Sequence, residues 1–134
     1  MLDVKTIQSV RTARIEILHP VTGQPLEAYV TMLSSDAPAR RTALLDYQRA
    51  LRRIGEGDSE DQHAQRTAAH LQYISTCISD WEGISDDGQL VAFTPNAAVT
   101  LLQRPELDWL LNQITMHLVD SKNFIAAQPK VSLP

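Results

Sequence analysis

The sequence predicts an α+β fold, mainly α, with an N-terminal β-hairpin followed by a four- or five-helix domain. Three observations predict it. Two segments, Arg14-Ile15-Glu16-Ile17 and Leu26-Glu27-Ala28-Tyr29-Val30-Thr31-Met32, alternate polar and apolar residues, the two-residue period of strands with one buried face. Beyond residue 36 the apolar period lengthens to three and four residues, as on amphipathic helices. Glycine and proline then punctuate the chain where helices would start and stop.

Residues 1–12 carry little pattern and read as a flexible arm or an extra edge strand. A single domain is expected over 13–126, opening with a hairpin over 13–33. His19-Pro20-Val21-Thr22-Gly23-Gln24-Pro25 joins its strands and is rich in turn formers, with Gly23 free to take positive φ. Two strands alone are marginal in water, so this hairpin must pack on helices or pair with another chain.

The first helix is expected over about 37–54, with Asp36 as N-cap and Pro38 in the first turn. Leu44, Tyr47, Leu51 and Ile54 form its core stripe. Arg41, Arg49, Arg52 and Arg53 fall on the opposite face. They read either as a patch for an anion or acidic partner, or as a solvated face balanced by Glu56, Asp58, Glu60 and Asp61. The second helix is expected over about 60–80, capped by Ser59 with Gln62 three residues on. Its stripe is Ala64, Ala68, Leu71, Ile74, Ile78 and Trp81.

The stretch from Trp81 to Asn96 reads as a joint, with Trp81 and Phe93 as packing anchors on either side. Asp86-Asp87-Gly88 makes a turn into a short strand, Gln89–Phe93. A calcium loop with Gly88 at position six would put Gly83 and Thr94 where carboxylates are required, so that reading fails. Thr94 then caps a helix over about 95–103, and Ala98, Leu101 and Leu102 face inward. A last helix over about 105–118 carries the stripe Leu107, Leu110, Leu111, Ile114 and Leu118. Trp109 and Met116 lie seven residues apart on its opposite side. They form a partner surface, or another part of the domain covers them. Residues 127–134 read as a flexible tail.

The chain of 134 residues suits one domain. Its net charge of −4 and scattered acids argue against nucleic acid as a partner. No apolar run approaches the ~20 residues of a membrane span, and the N-terminus lacks a signal-peptide pattern. The single cysteine, Cys77, suits a reducing cytoplasm. His63, His70 and Cys77 are ligand types, but seven residues along a helix is ~10 Å of rise, too far for one metal ion. Nothing marks a nucleophile elbow, a phosphate-cradling loop or a His-Glu-x-x-His site. The expectation is a binding or assembly protein without catalytic, cofactor or metal residues.

An ordered set of features carries a resemblance. Ile15-x-Ile17 is followed by His19-Pro20-x-Thr22-Gly23-x-Pro25 and a second strand, then the helix start Ser35-Asp36-x-Pro38. A long helix ends in Trp81-x-Gly83-Ile84. Gly88, Phe93-Thr94-x-Asn96, the pair Leu101 and Leu102, and Asn123-Phe124 complete the set. In this order they resemble tail assembly chaperones of long-tailed, lambda-like phages and prophages, over about residues 13–125.

The resemblance implies a non-catalytic protein of the bacterial host cytoplasm, absent from the mature virion. Such chaperones bind and solubilise the tape-measure protein and promote assembly of the tail tube around it. In many such phages a programmed frameshift adds an extension that recruits the tail-tube protein, and this chain is similar to the unextended product. Related proteins self-associate. Two surfaces suit these roles: the line of Trp109 and Met116, and the hairpin edge with Tyr29 and Met32. One would bind the client and the other a neighbouring copy. The competing expectations are a connector or tail-completion protein retained in the virion, and a small enzyme with a site assembled from distant residues.

Overall fold

The computed structural model describes residues 1–4, 7–9 and 11–127. The two alternating segments become β2 (Thr12–Leu18) and β3 (Pro25–Leu33), paired antiparallel with Ile15 opposite Val30. Ile15, Ile17, Ala28, Val30 and Met32 are buried on one face of this hairpin, as the two-residue period requires. His19 organises the connection: its Nδ1 accepts the backbone N–H groups of Val21 and Thr22 at 3.1 and 3.2 Å. Gly23 takes φ 71°. The N-terminal residues supply a strand, β1 (Ile7–Ser9), which pairs antiparallel with the last described strand, Ile125–Ala127. Beyond Ala127 the expected tail lies outside the described residues.

Two 17-residue helices follow, α1 (Pro38–Ile54) and α2 (Glu60–Thr76), packed along each other as a hairpin. The N-cap of α1 is Ala37 and not the expected Asp36, whose carboxylate instead accepts the Ser34 hydroxyl. Gly55 ends α1 at φ 82°. Ser59 and Gln62 form a complete reciprocal capping box at the start of α2.

The expected stripe of α1 does not reach the core. Leu44 is exposed, and Tyr47, Leu51 and Ile54 are half-buried, while Arg40 and Ala43 are buried. The reason is geometric: the helix pair projects past the sheet, and only its base meets the rest of the molecule. There the Arg40 guanidinium donates to the Leu33 carbonyl (2.9 Å), the Leu118 carbonyl (3.1 Å) and the Tyr73 hydroxyl (3.3 Å). It also lies 5.7 Å from the Phe124 ring centroid.

The second helix stops at Thr76 and does not run on to residue 80. The chain turns at Cys77 into β4 (Ile78–Glu82), which adds to the hairpin in the order β2-β3-β4, with Trp81 opposite Val30. A register shift between Thr31 and Met32 lets Ile78 and Trp81 both face inward although they are three residues apart. Such a bulge gives a strand the spacing of a helix face, and Ile74, Ile78 and Trp81 therefore look helical in sequence. Pairing with β3 overrides local propensity here.

The joint is a close-packed corner. Trp81 donates its indole N–H to the Val91 carbonyl at 2.8 Å and meets Phe93 edge-on at 5.2 Å, so the two anchors expected on either side of the joint pack on each other. Asp87 and Gly88, at φ 51° and 79°, close a two-residue hairpin between β5 (Ser85–Asp86) and β6 (Gln89–Leu90). Asp-Gly with both φ angles positive suits a type I′ turn. Thr94 then caps α3 (Pro95–Leu102), accepting from the Ala97 N–H at 3.0 Å. A 3₁₀ turn, Pro105–Leu107, leads into α4 (Asp108–Val119). A second 3₁₀ turn, Ser121–Phe124, leads into the last described strand, β7.

The core lies between the inner face of β2-β3-β4 and one face of α3 and α4, with the base of α2 closing one side. Leu110, Ile114 and Leu118 of α4 and Ala98, Leu101 and Leu102 of α3 are buried in it, as their spacing predicts.

Cys77 sits fully buried where α2 gives way to β4, and burial pushes its thiol pKa up. Two outcomes follow. The thiol should resist a maleimide in the native protein and react once denaturant unfolds it. Stability from this group should hold below the unfolded thiol's ordinary pKa of ~8.5 and fall as pH rises towards the elevated native value. A native thiol that labels as fast as free cysteine would contradict the burial.

Candidate functional site

An apolar cleft of about 240 Å³ opens where the sheet, the joint and the α3–α4 corner meet. Alternation in β2 and β3 turns Ile17 and Ala28 towards it, and Leu26 joins them at the start of β3. Leu101 of α3, Leu107 of the 3₁₀ turn and Trp109 and Leu110 of α4 form the opposite wall. Ile84 and Gly83 close the end at the joint.

Gly83 allows this approach. At φ 73°, its backbone passes so near β3 that an added Cβ would stand 2.3 Å from the Glu27 carbonyl oxygen. Glu27 itself has φ 55°, where β3 slips register against β2 between Glu16 and Leu18. Positive φ on a residue other than glycine is uncommon and strained, and here it sits at the lip of the cleft.

One cation marks the rim. Arg104 bonds Glu106 at 2.8 Å and Asp86 at 3.1 Å, tying the β5–β6 turn to the corner between α3 and α4. Its hydrogen bonds to Glu106 and then Asp86 raise the guanidinium pKa further, so it stays charged. Among the described residues, no group of three His, Cys, Asp or Glu side chains is placed to hold a metal ion. His63 is exposed, and His70 packs 6.0 Å from Tyr47. The cleft is suited to receive apolar side chains against a Trp wall beside a fixed ion pair.

The four residues singled out for partner binding lie in four different environments. Trp109 is half-buried and lines the cleft, packing against the core. Met116, on the same line of α4, is 71% exposed. Tyr29 lies half-buried on the outer face of the sheet. The Arg14 guanidinium stacks 3.8 Å over its ring, and its hydrogen bond to the Glu16 carboxylate pushes the phenol pKa up. Arg14 also pairs with Glu82 at 3.0 Å. Met32 is fully buried, and that assignment is corrected: it belongs to the core and offers no surface. Tyr29 and Met32 are three residues apart on one strand, so alternation places them on opposite faces.

Leu26 and Arg104 carry no motif, whereas Gly83 lies in the Trp81-x-Gly83-Ile84 stretch of the joint. The three converge only because the joint folds back on β3.

No curated protein and no solved structure matches the chain. Among the described residues, no helix is long and apolar enough to cross a membrane. A protein family described as YdaY prophage protein matches residues 35–132, which is 98 of the 134 residues and takes in α1, α2, the joint and both helices of the cleft. The chain belongs to this family of prophage proteins.

Proposed function

We propose that this prophage protein is a non-catalytic tail assembly chaperone that binds the tape-measure protein, keeps it soluble and promotes tail-tube assembly around it. The observation that carries this reading is the apolar cleft walled by Trp109, continued along the same helix by the exposed Met116. Tryptophan is among the residues enriched at binding hot spots, and an exposed methionine adapts to varied apolar partners. A long helical client needs many weak apolar contacts and no turnover. Copies of a small domain along it gain by multivalency. On this reading the work is done in the host cytoplasm, a frameshifted longer form recruits the tail-tube protein, and the finished virion lacks the chaperone.

The test is co-expression with the tape-measure protein. Trp109→Ser with Met116→Ser should cost about 2 kcal/mol of client affinity, roughly thirtyfold, and leave the client insoluble. Because Trp109 also packs on the core, Met116→Ser alone and circular dichroism of both variants separate lost binding from lost fold. A double variant that folds and still solubilises the client would end this assignment. Stoichiometric recovery of the protein from purified particles would favour a connector or tail-completion protein instead.

A further inference from the structure

The cleft does not end at Arg104. A second hollow of about 230 Å³, walled by Val91, Ala97, Thr100 and Leu101, adjoins it, and both have Asp86, Leu101 and Arg104 in their walls. The Asp86–Arg104 ion pair, at 3.1 Å, therefore stands as a bar between two largely apolar hollows.

Charge around this bar is one-sided. Arg104 is the only cation in either lining, and Asp86 and Glu106 already share it. Asp87 follows Asp86 in the tight turn, and Asp108 stands between the lining residues Leu107 and Trp109. Both are exposed, and among the described residues neither has a cation partner. Asp86, Asp87, Glu106 and Asp108 thus set four carboxylates around one guanidinium. An acidic partner would have to displace a carboxylate from Arg104 and would still meet the other acids. A basic partner meets net negative charge and displaces nothing. Complementary charge across an interface selects the partner and fixes its register.

We propose that the segment received here is apolar and flanked by lysine or arginine. One apolar side chain enters each hollow, and a basic side chain crosses the bar to the carboxylates of Asp86, Asp87, Glu106 and Asp108. This rests on the reading of the cleft as the client-binding surface, and it adds the chemistry of the segment bound. Apolar burial supplies the affinity, and charge selects which apolar stretch of a long client is held. The same acids repel phosphate groups, which disfavours nucleic acid and anionic lipid at this surface.

Fluorescence anisotropy with two synthetic helical peptides tests it. Both carry leucines along one face, flanked by lysines in one peptide and by glutamates in the other. The lysine peptide should bind about tenfold tighter, with an advantage that shrinks as salt rises. Asp87→Asn with Asp108→Asn should weaken the lysine peptide about fivefold and leave the glutamate peptide no weaker. Asparagine keeps a side-chain oxygen at both positions and tolerates the positive φ of Asp87, so circular dichroism should be unchanged. Leu26→Ser, at an exposed position of the cleft wall, should weaken both peptides. Peptides bound alike, or full lysine preference in the asparagine variant, would overturn the charge assignment and leave the cleft as a binding surface. No binding of either peptide, or binding indifferent to Leu26→Ser, would overturn it by removing the cleft, and the client-binding reading with it.

Discussion

Gly83→Ala is expected to destabilise the protein by about 3 kcal/mol, from a backbone collision and a disfavoured φ acting together. The new Cβ would meet the Glu27 carbonyl oxygen at 2.3 Å and the Ala28 Cα at 3.2 Å, and neither is a side-chain tip that can swing away. Glycine is also the residue that tolerates the φ of 73° found here. To accommodate alanine the joint must lift from β3. That would strain the Trp81–Val91 hydrogen bond and open the cleft at its closed end. Thermal unfolding should show a midpoint lowered by roughly 10 °C, with Trp81 fluorescence altered in whatever folded protein remains. Gly23→Ala is the control: its φ is also positive, but nothing stands within 4 Å of its Cβ, so its loss should be near 1 kcal/mol. Equal losses at the two glycines would mean that close approach at the joint is unimportant.

Arg40→Met should cost a similar amount, about 3 kcal/mol, for an electrostatic reason. Arg40 is buried, and no carboxylate lies among its hydrogen-bond partners. Its charge is stabilised by the Leu33 carbonyl at the end of β3, the Leu118 carbonyl in the last turn of α4 and the face of Phe124. A helix C-terminus carries partial negative charge, which favours a cation there. Methionine fills similar volume but leaves these carbonyls buried without donors. Arg40→Lys keeps the charge on one nitrogen that cannot span acceptors placed to either side, so a loss of about 1–2 kcal/mol is expected. Urea unfolding midpoints would order the three proteins wild type, Lys, Met. A methionine variant as stable as wild type would show that this clasp contributes nothing.

The two predictions concern residues that are unequally visible in the sequence. Gly83 stands in a stretch whose Trp, Phe, glycines and Asp-Gly turn announce a corner, and the anchors Trp81 and Phe93 meet as that composition suggests. Arg40 is one of several arginines on α1 and nothing local distinguishes it. It is buried because the base of α1 lands beside the end of β3 and the C-terminus of α4, elements up to 78 residues away. Met32 was legible in principle, since strand alternation opposes it to Tyr29. The end of α2 was not, because a bulged strand and a helix put apolar residues at the same spacing there. The candidate cleft shows the same division. Trp109 was marked by its place off the core stripe of α4, whereas Leu26 and Arg104 became neighbours of it only through folding.

By itself the sequence determined the hairpin, the helical remainder, the caps at Ser59 and Thr94, and the inward stripes of α3 and α4. Each is set by interactions within a few residues, where periodicity, capping and turn chemistry act. Only the tertiary structure decided that β4 completes the sheet, that Arg40 is a buried clasp, that Trp109 walls a cleft while Met116 meets solvent, and that the α1–α2 arm stands uncovered. Those outcomes depend on which distant surfaces meet, and the free energy of burial that selects them is a property of the pair and not of either segment.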